Sequence, residues 1–202
     1  MHGVSSRAVT IFGGVLAFGS ASAQDTTCQN FRLQDFMTLR IAVVTVERAL
    51  FRDARGRATG AYVVKGDRVV QGPAVHGRRC SYFFGAQQEV SGFLNEAQAS
   101  AVPVLPLASG RWVRDEDAEL IVTSGGQVSG DALWHTPGGS VNLGRLEGVF
   151  VRRGPIWAYK SLDARDPCRV NVLNLGSRLL VGDNLQCGGW NVTFNGVYRR
   201  AP

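Results

Sequence analysis

The sequence predicts an all-β protein of two modules, and three observations predict it. Short β-branched and aromatic runs are broken every 8–12 residues by turn residues, the spacing of a sandwich or barrel. Twenty-five glycines in 202 residues supply many such turns. Helical periodicity is nearly absent, and only "CQNFRLQDFMTLRIAVV" spaces its apolar residues three or four apart. That stretch reads either as a helix or as an irregular arm running into a strand.

The chain opens with Arg7, the apolar run "AVTIFGGVLAFG" and "SASA" ending at Ala23. This is the order of a secretory signal peptide over residues 1–23. The run is too short to span a bilayer, which takes roughly 20 apolar residues, and no later stretch predicts a transmembrane segment. Cleavage before Gln24 leaves a mature chain of about 180 residues, room for one large or two small domains. The division falls at "SAVPVLPLASG", around residues 103–109. Its two prolines cannot sit in a central strand and favour an extended connector. The expected modules are residues 24–104 and 108–202.

In the first module, Val63, Lys65 and Asp67 alternate with Tyr62, Val64 and Gly66 as a half-buried strand requires. Lys65-Gly66-Asp67 closes the strand with a turn in which glycine can take a positive φ. Around it lie "RALFRD" with Leu50-Phe51, then Tyr82-Phe83, then Gly92-Phe93-Leu94. Together with "AYVVKGDRV" at 61–69, residues 47–98 resemble a bacterial SH3-like domain. Gly92-Phe93-Leu94 stands where that family usually carries Gly-Trp-Val or Gly-Trp-Ile. The resemblance implies a small SH3-like β-barrel whose ligands are peptidoglycan, its stem peptides or another envelope protein. Phe51, Tyr62, Tyr82 and Phe93 are the candidate groove aromatics, with Arg78 and Arg79 as anion contacts.

The second module reads as about eight strands, near "AELIVTS", "QVSGDALW", "SVNLG", "LEGVFVRR", "PIWAYKS", "CRVNVLN", "RLLVGDN" and "WNVTFNGVYRR". Eight short antiparallel strands in this length predict a small closed barrel, whose first and last stretches, "GRWVRD" and "NGVYRR", meet. In the final stretch Trp190, Val192, Phe194, Gly196 and Tyr198 fall on one side of an extended chain, and Asn191, Thr193, Asn195 and Arg199 on the other. The pattern "LxVxDNxxCGGxNVxFxGxYxR" is similar to C-terminal modules of other small exported bacterial proteins, a likeness that implies architecture alone.

Four cysteines in an exported chain predict two disulfides. Cys168 and Cys187 flank a hairpin turning near Gly176, which brings them together, and Cys28 and Cys80 pair by elimination. The competing zinc reading has neither a CxxC nor clustered histidines behind it. Removing the leader leaves 21 Lys+Arg against 16 Asp+Glu, a net charge of +5. The basic residues are scattered among acids and export removes nucleic acid as a partner. Anionic wall polymers or lipid headgroups are the partners such a field attracts, while solubility alone also accounts for it.

Catalytic machinery is hard to find in the sequence. His76 and His135 lie in loops without a Gly-x-Ser-x-Gly or His-Glu-x-x-His pattern. Asp115, Glu116, Asp117 and Glu119 in "RDEDAEL" point alternately to opposite faces, unlike the paired carboxyls of a glycosidase. "VSGDALWHTPGGS" lacks the Lys-Ser/Thr of a phosphate loop. The expectation is a periplasmic or secreted binding protein without catalytic activity, metal or cofactor. The alternative is an inhibitor of a lysozyme-like enzyme that inserts a loop into the enzyme's cleft.

Overall fold

A computed structural model describes residues 28, 35–86, 89–161 and 168–202. The signal-peptide reading falls outside them. The protein is all-β, with a closed eight-stranded antiparallel barrel and a separate antiparallel sheet. The arm after Cys28 ends in a 3-10 turn at Phe36–Thr38, N-capped by Asp35, whose carboxylate accepts the Met37 amide at 2.9 Å. It then runs into a strand, so the irregular-arm reading holds over the described part.

The N-terminal sheet comprises β1 (Arg40–Val44), β2 (Arg48–Arg52), β3 (Ala58–Val64), β4 (Arg68–Val75), β5 (Arg78–Phe84), β6 (Glu89–Asn95) and β7 (Ala99–Ala101). Their order is β3-β2-β6-β5-β4-β1-β7. Ala42 and Val44 of β1 share one core with Ala49 and Phe51 of β2, Val63 of β3 and Leu94 of β6. Strands from both halves of the order thus meet, and the sheet curls around this core. A buried polar chain crosses it: Arg40 donates to Gln71 Oε1 at 2.9 Å, and Gln71 Nε2 donates to Ser81 Oγ at 3.1 Å. Both Gln71 and Ser81 are fully buried. Their mutual bonds satisfy polar groups that would otherwise be costly there.

The barrel comprises β8 (Gly110–Asp115), β9 (Ala118–Val122), β10 (Gln127–His135), β11 (Val141–Arg153), β12 (Ile156–Ser161), β13 (Val170–Asn174), β14 (Arg178–Asp183) and β15 (Gly196–Arg200). β8 pairs with β15, and β9 with β10, closing the ring. The number of strands agrees with expectation but two members differ. "SVNLG" and "LEGVFVRR" are one strand, β11, and "GRWVRD" supplies the eighth. The glycines within β11 mark close approach, not a turn: a Cβ on Gly144 would stand 2.5 Å from Cys187 O, and one on Gly148 would overlap Lys160 O. Trp112, Leu120, Leu146, Phe194 and Tyr198 fill the interior.

Both expected disulfides form, Cys28–Cys80 and Cys168–Cys187. The second spans the β13–β14 hairpin, which turns at Gly176 with φ +97°. Two disulfides fit an oxidising compartment. Among the described residues no helix is long and apolar enough to cross a membrane.

The sheet and the barrel are joined by a second shared core. Phe36, Leu39, Ile41, Val70, Tyr82 and Phe84 pack on Ile156, Ala158, Leu173 and Leu180. Residue parity sends Ile41 and Val70 here and their neighbours Ala42 and Val69 to the N-terminal core. On β14, Leu179 and Val181 face the barrel interior while Leu180 faces the sheet. The connector 102–109 carries no strand and is tied to the barrel through its carbonyls. Leu105 O accepts from Trp157 Nε1 and Ala108 O from Trp112 Nε1, each at 3.1 Å, and Pro106 O accepts from Asn174. Arg178 also donates to Gly85 O at 2.8 Å across the junction.

Candidate functional site: an arginine-rimmed cleft

The β2–β3 hairpin turns through "RDARGR". Gly56 lies there at φ +83°, a backbone state that glycine adopts at little cost. Asp53 locks the turn by accepting the Arg57 amide at 2.9 Å and the Arg57 guanidinium at 2.8 Å. The bond from the Arg57 amide, followed by the Arg57 side chain, holds the Asp53 carboxyl below the usual range. Arg52 Nη1 donates to Gly56 O at 2.8 Å.

Strand register assembles the rest. Arg52 of β2 is paired with Phe93 of β6, and Phe93 with Cys80 of β5. Directly paired residues project to the same side of an antiparallel sheet. Arg78, two residues from Cys80, shares that side. Its guanidinium lies over the Phe93 ring at 5.5 Å from the centroid, and its Nη1 lies 3.3 Å from where a Gly56 Cβ would sit. The cleft so formed measures about 540 Å³, lined by Arg52, Asp53, Arg55, Arg57, Phe93 and Cys28 among others. It borders the core shared by the two modules, of which Cys80 and Phe93 form the fringe.

Of the six expected binding residues, Phe93 lines the cleft and Arg78 stands beside it, over the Phe93 ring. Tyr62 stands on β3 at 49 % exposure, with the Arg48 guanidinium 3.9 Å above its ring. The other three require correction. Phe51 is fully buried because it alternates in phase with Ala49 toward the N-terminal core. Tyr82 is 2 % exposed because the barrel covers its side of β5. Arg79 faces the opposite side from Arg78 and is bound at 2.5 Å to Glu96 and at 2.9 Å to Gly72 O. Arg52, Arg55 and Arg57 were not among the expected residues. Three arginines within six residues of one hairpin turn were the available signal.

The remaining expectations about chemistry resolve locally. His135 Nε2 lies 3.1 Å from Asp117 Oδ1, on an exposed surface. Glu119 pairs with Arg111 and Asp115 with Arg114, each at 2.7 Å, so two of the four acids of that run are paired with neighbouring arginines; Asp131, outside the run, pairs with Arg145 at 3.0 Å. Burial opposes ionisation of Asp115, yet the Arg114 hydrogen bond, the Asp117 amide, the Arg114 charge and the Ala118 amide outweigh it. They hold the carboxyl below its usual 3.8. A depressed folded-state pKa contributes stability above the unfolded value, which is lost as pH falls through the folded one. Asp115→Asn is therefore expected to lower Tm by ~1–3 °C at neutral pH. In thermal melts across pH, that difference should close below 3.8; a gap that widens in acid would contradict the assignment.

The closing stretch differs from the expected strand. Val192, Phe194 and Tyr198 do point inward, but pairing begins only at Gly196, and Trp190 is 81 % exposed. Asn191 adopts φ +64°, which breaks the extended run and swings Trp190 outward. The loop is nonetheless held in place. Asp183 accepts the Leu185 amide at 2.9 Å and the Phe194 amide at 2.6 Å, and Asn142 donates to Trp190 O at 2.7 Å.

Fold and site together define a disulfide-bonded all-β protein that presents a cationic cleft, lined in part by Phe93, beside one of its disulfides. Comparison with protein-family models, curated proteins and solved structures finds no match to this chain.

Proposed function

We propose that this is a non-catalytic binding protein of the bacterial cell envelope, periplasmic or secreted, that recognises peptidoglycan or an envelope protein. The observation that carries the reading is the cleft, whose lining holds Arg52, Arg55 and Arg57 against a single carboxylate, Asp53, with Arg78 beside it over the Phe93 ring. An excess of fixed cations over a rigid sheet suits an anionic polymer, and the SH3-like resemblance of residues 47–98 points to the same ligands. The two disulfides agree with an exported protein.

A second reading, inhibition of a lysozyme-like enzyme, is favoured by one feature. The loop at 184–191 carries Leu185 at 63 % and Trp190 at 81 % exposure on an anchored backbone. A protruding tryptophan on a pre-ordered loop loses little entropy on insertion into a cleft.

The deciding experiment is a pull-down of the oxidised mature protein with purified peptidoglycan sacculi at low and moderate salt. Retention that survives moderate salt and falls severalfold in Arg55→Gln is the expected result. Retention abolished by moderate salt reduces the interaction to the general basic field. No retention, together with stoichiometric loss of lysozyme activity on titration, would replace the first reading with the second.

A further inference from the structure

Arg52 and Arg78 approach the same turn from different strands. Arg52 Nη1 is 2.8 Å from Gly56 O, and Arg78 Nη1 lies against the open side of Gly56. The one carboxylate in the cleft, Asp53, is engaged by Arg57 through both its oxygens. Two guanidinium groups thus converge without an anion of their own among the described residues. Each presents planar N–H donors suited to a forked, bidentate bond with a carboxylate. Beside them the apolar part of the lining is Phe93, Gly92, Ala54 and Cys28, next to Thr59 and Ser91. A ligand that sits there carries an anionic tip on a short apolar stem.

We infer that the cleft is a carboxylate-binding site for an acidic peptide, with Arg52 and Arg78 gripping the carboxylate and Phe93 supporting the methylene stem. The inference rests on the cleft being the binding site proposed above, and it specifies what that site reads. A phosphate, lacking an apolar stem, would use the cations but leave Phe93 uncovered. The same carboxylate chemistry is offered by the stem peptides of a wall polymer and by an acidic tail of an envelope protein, and the test separates the two.

The probe is N-acetyl-tetraglutamate, titrated calorimetrically into the full oxidised protein at moderate salt, with N-acetyl-tetraglutamine and inorganic phosphate as comparisons. The expected result is binding of the glutamate peptide alone, weakened about tenfold by Arg78→Gln or Arg52→Gln, the loss of one charge-assisted bond. Lys160→Gln removes an equal charge from the barrel and should change affinity less than about twofold. Arg55→Gln alters an exposed cleft side chain and keeps the test valid if either inner variant fails to fold; a severalfold weakening is expected. Equal binding of the glutamine peptide, equal competition by phosphate, or an equal loss in Lys160→Gln would overturn the inference. Sacculi retained by the protein but released by prior amidation of their carboxylates would support it with the wall as the source. Peptide binding without retention of sacculi would support it with a protein tail as the source, and would overturn only the wall-binding part of the reading above. Retention unaffected by Arg78→Gln, with no peptide binding, would leave the envelope reading standing and remove this one.

Discussion

Replacing Trp112 by alanine is expected to cost the barrel about 3–5 kcal/mol. Trp112 is the largest of the fully buried side chains, at 1 % exposure. It projects inward from β8, the strand that joins β15 to β9. Removing the indole leaves a void where the ring closes and deprives Ala108 O of its 3.1 Å donor. That bond also ties the connector to the barrel wall. Trp112→Phe keeps most of the volume and loses the bond, so a smaller loss of roughly 1–2 kcal/mol is expected. Equilibrium denaturation followed by circular dichroism measures both. A Trp112→Ala protein within about 1 kcal/mol of the parent would mean that the interior can collapse around the vacancy, contrary to close packing at this seam.

The second large effect is expected at Gly182 on β14. The Phe36 ring rests against this glycine, and a Cβ there would lie 2.6 Å from Phe36 Cζ and nearer still to Cε2. Gly182→Ala should therefore push Phe36 out of the core shared by the two modules, at a cost of about 1–3 kcal/mol. The mechanism makes a sharper demand than destabilisation alone. In a Phe36→Ala background the clash has no partner, so adding Gly182→Ala should cost almost nothing. A double-mutant cycle reads this coupling directly. Additive losses would show that the glycine matters for its strand and not for docking.

Much of the architecture was legible in the chain, and the failures share a cause. Alternation placed Val192, Phe194 and Tyr198 on one side of the final stretch, and all three are buried. The hairpin at Gly176 was readable because a turn residue separates two runs of near-equal length. "LRIAVV" was ambiguous because β1 buries both faces, Ile41 toward the barrel and Ala42 toward its own sheet, which erases the period of two. Gly144 looked like a break because a glycine needed for close approach and a glycine needed for a turn are the same letter.

The candidate site was less legible. Arg78 and Phe93 were found through a motif, while Phe51 and Tyr82 were aromatic for the sake of two different cores. Arg79 differs from Arg78 only in the face it occupies, and register alone turns it to Glu96. The cleft depends on β2 lying beside β6, a strand far from it in the chain, with the β5–β6 pair alongside.

By itself the sequence determined the all-β class, the eight-stranded barrel, the paired cysteines and the inward facing of Val192, Phe194 and Tyr198. Those follow from local rules of turn chemistry and two-residue periodicity acting within one strand or hairpin. Only the tertiary structure decided that the modules share a core, that Tyr82 lies beneath the barrel and that Trp190 stands in solvent. It alone set Arg52 and Arg78 against one glycine. Such outcomes depend on which surfaces meet at long range, where burial is settled by the partner surface and not by the residue's own pattern.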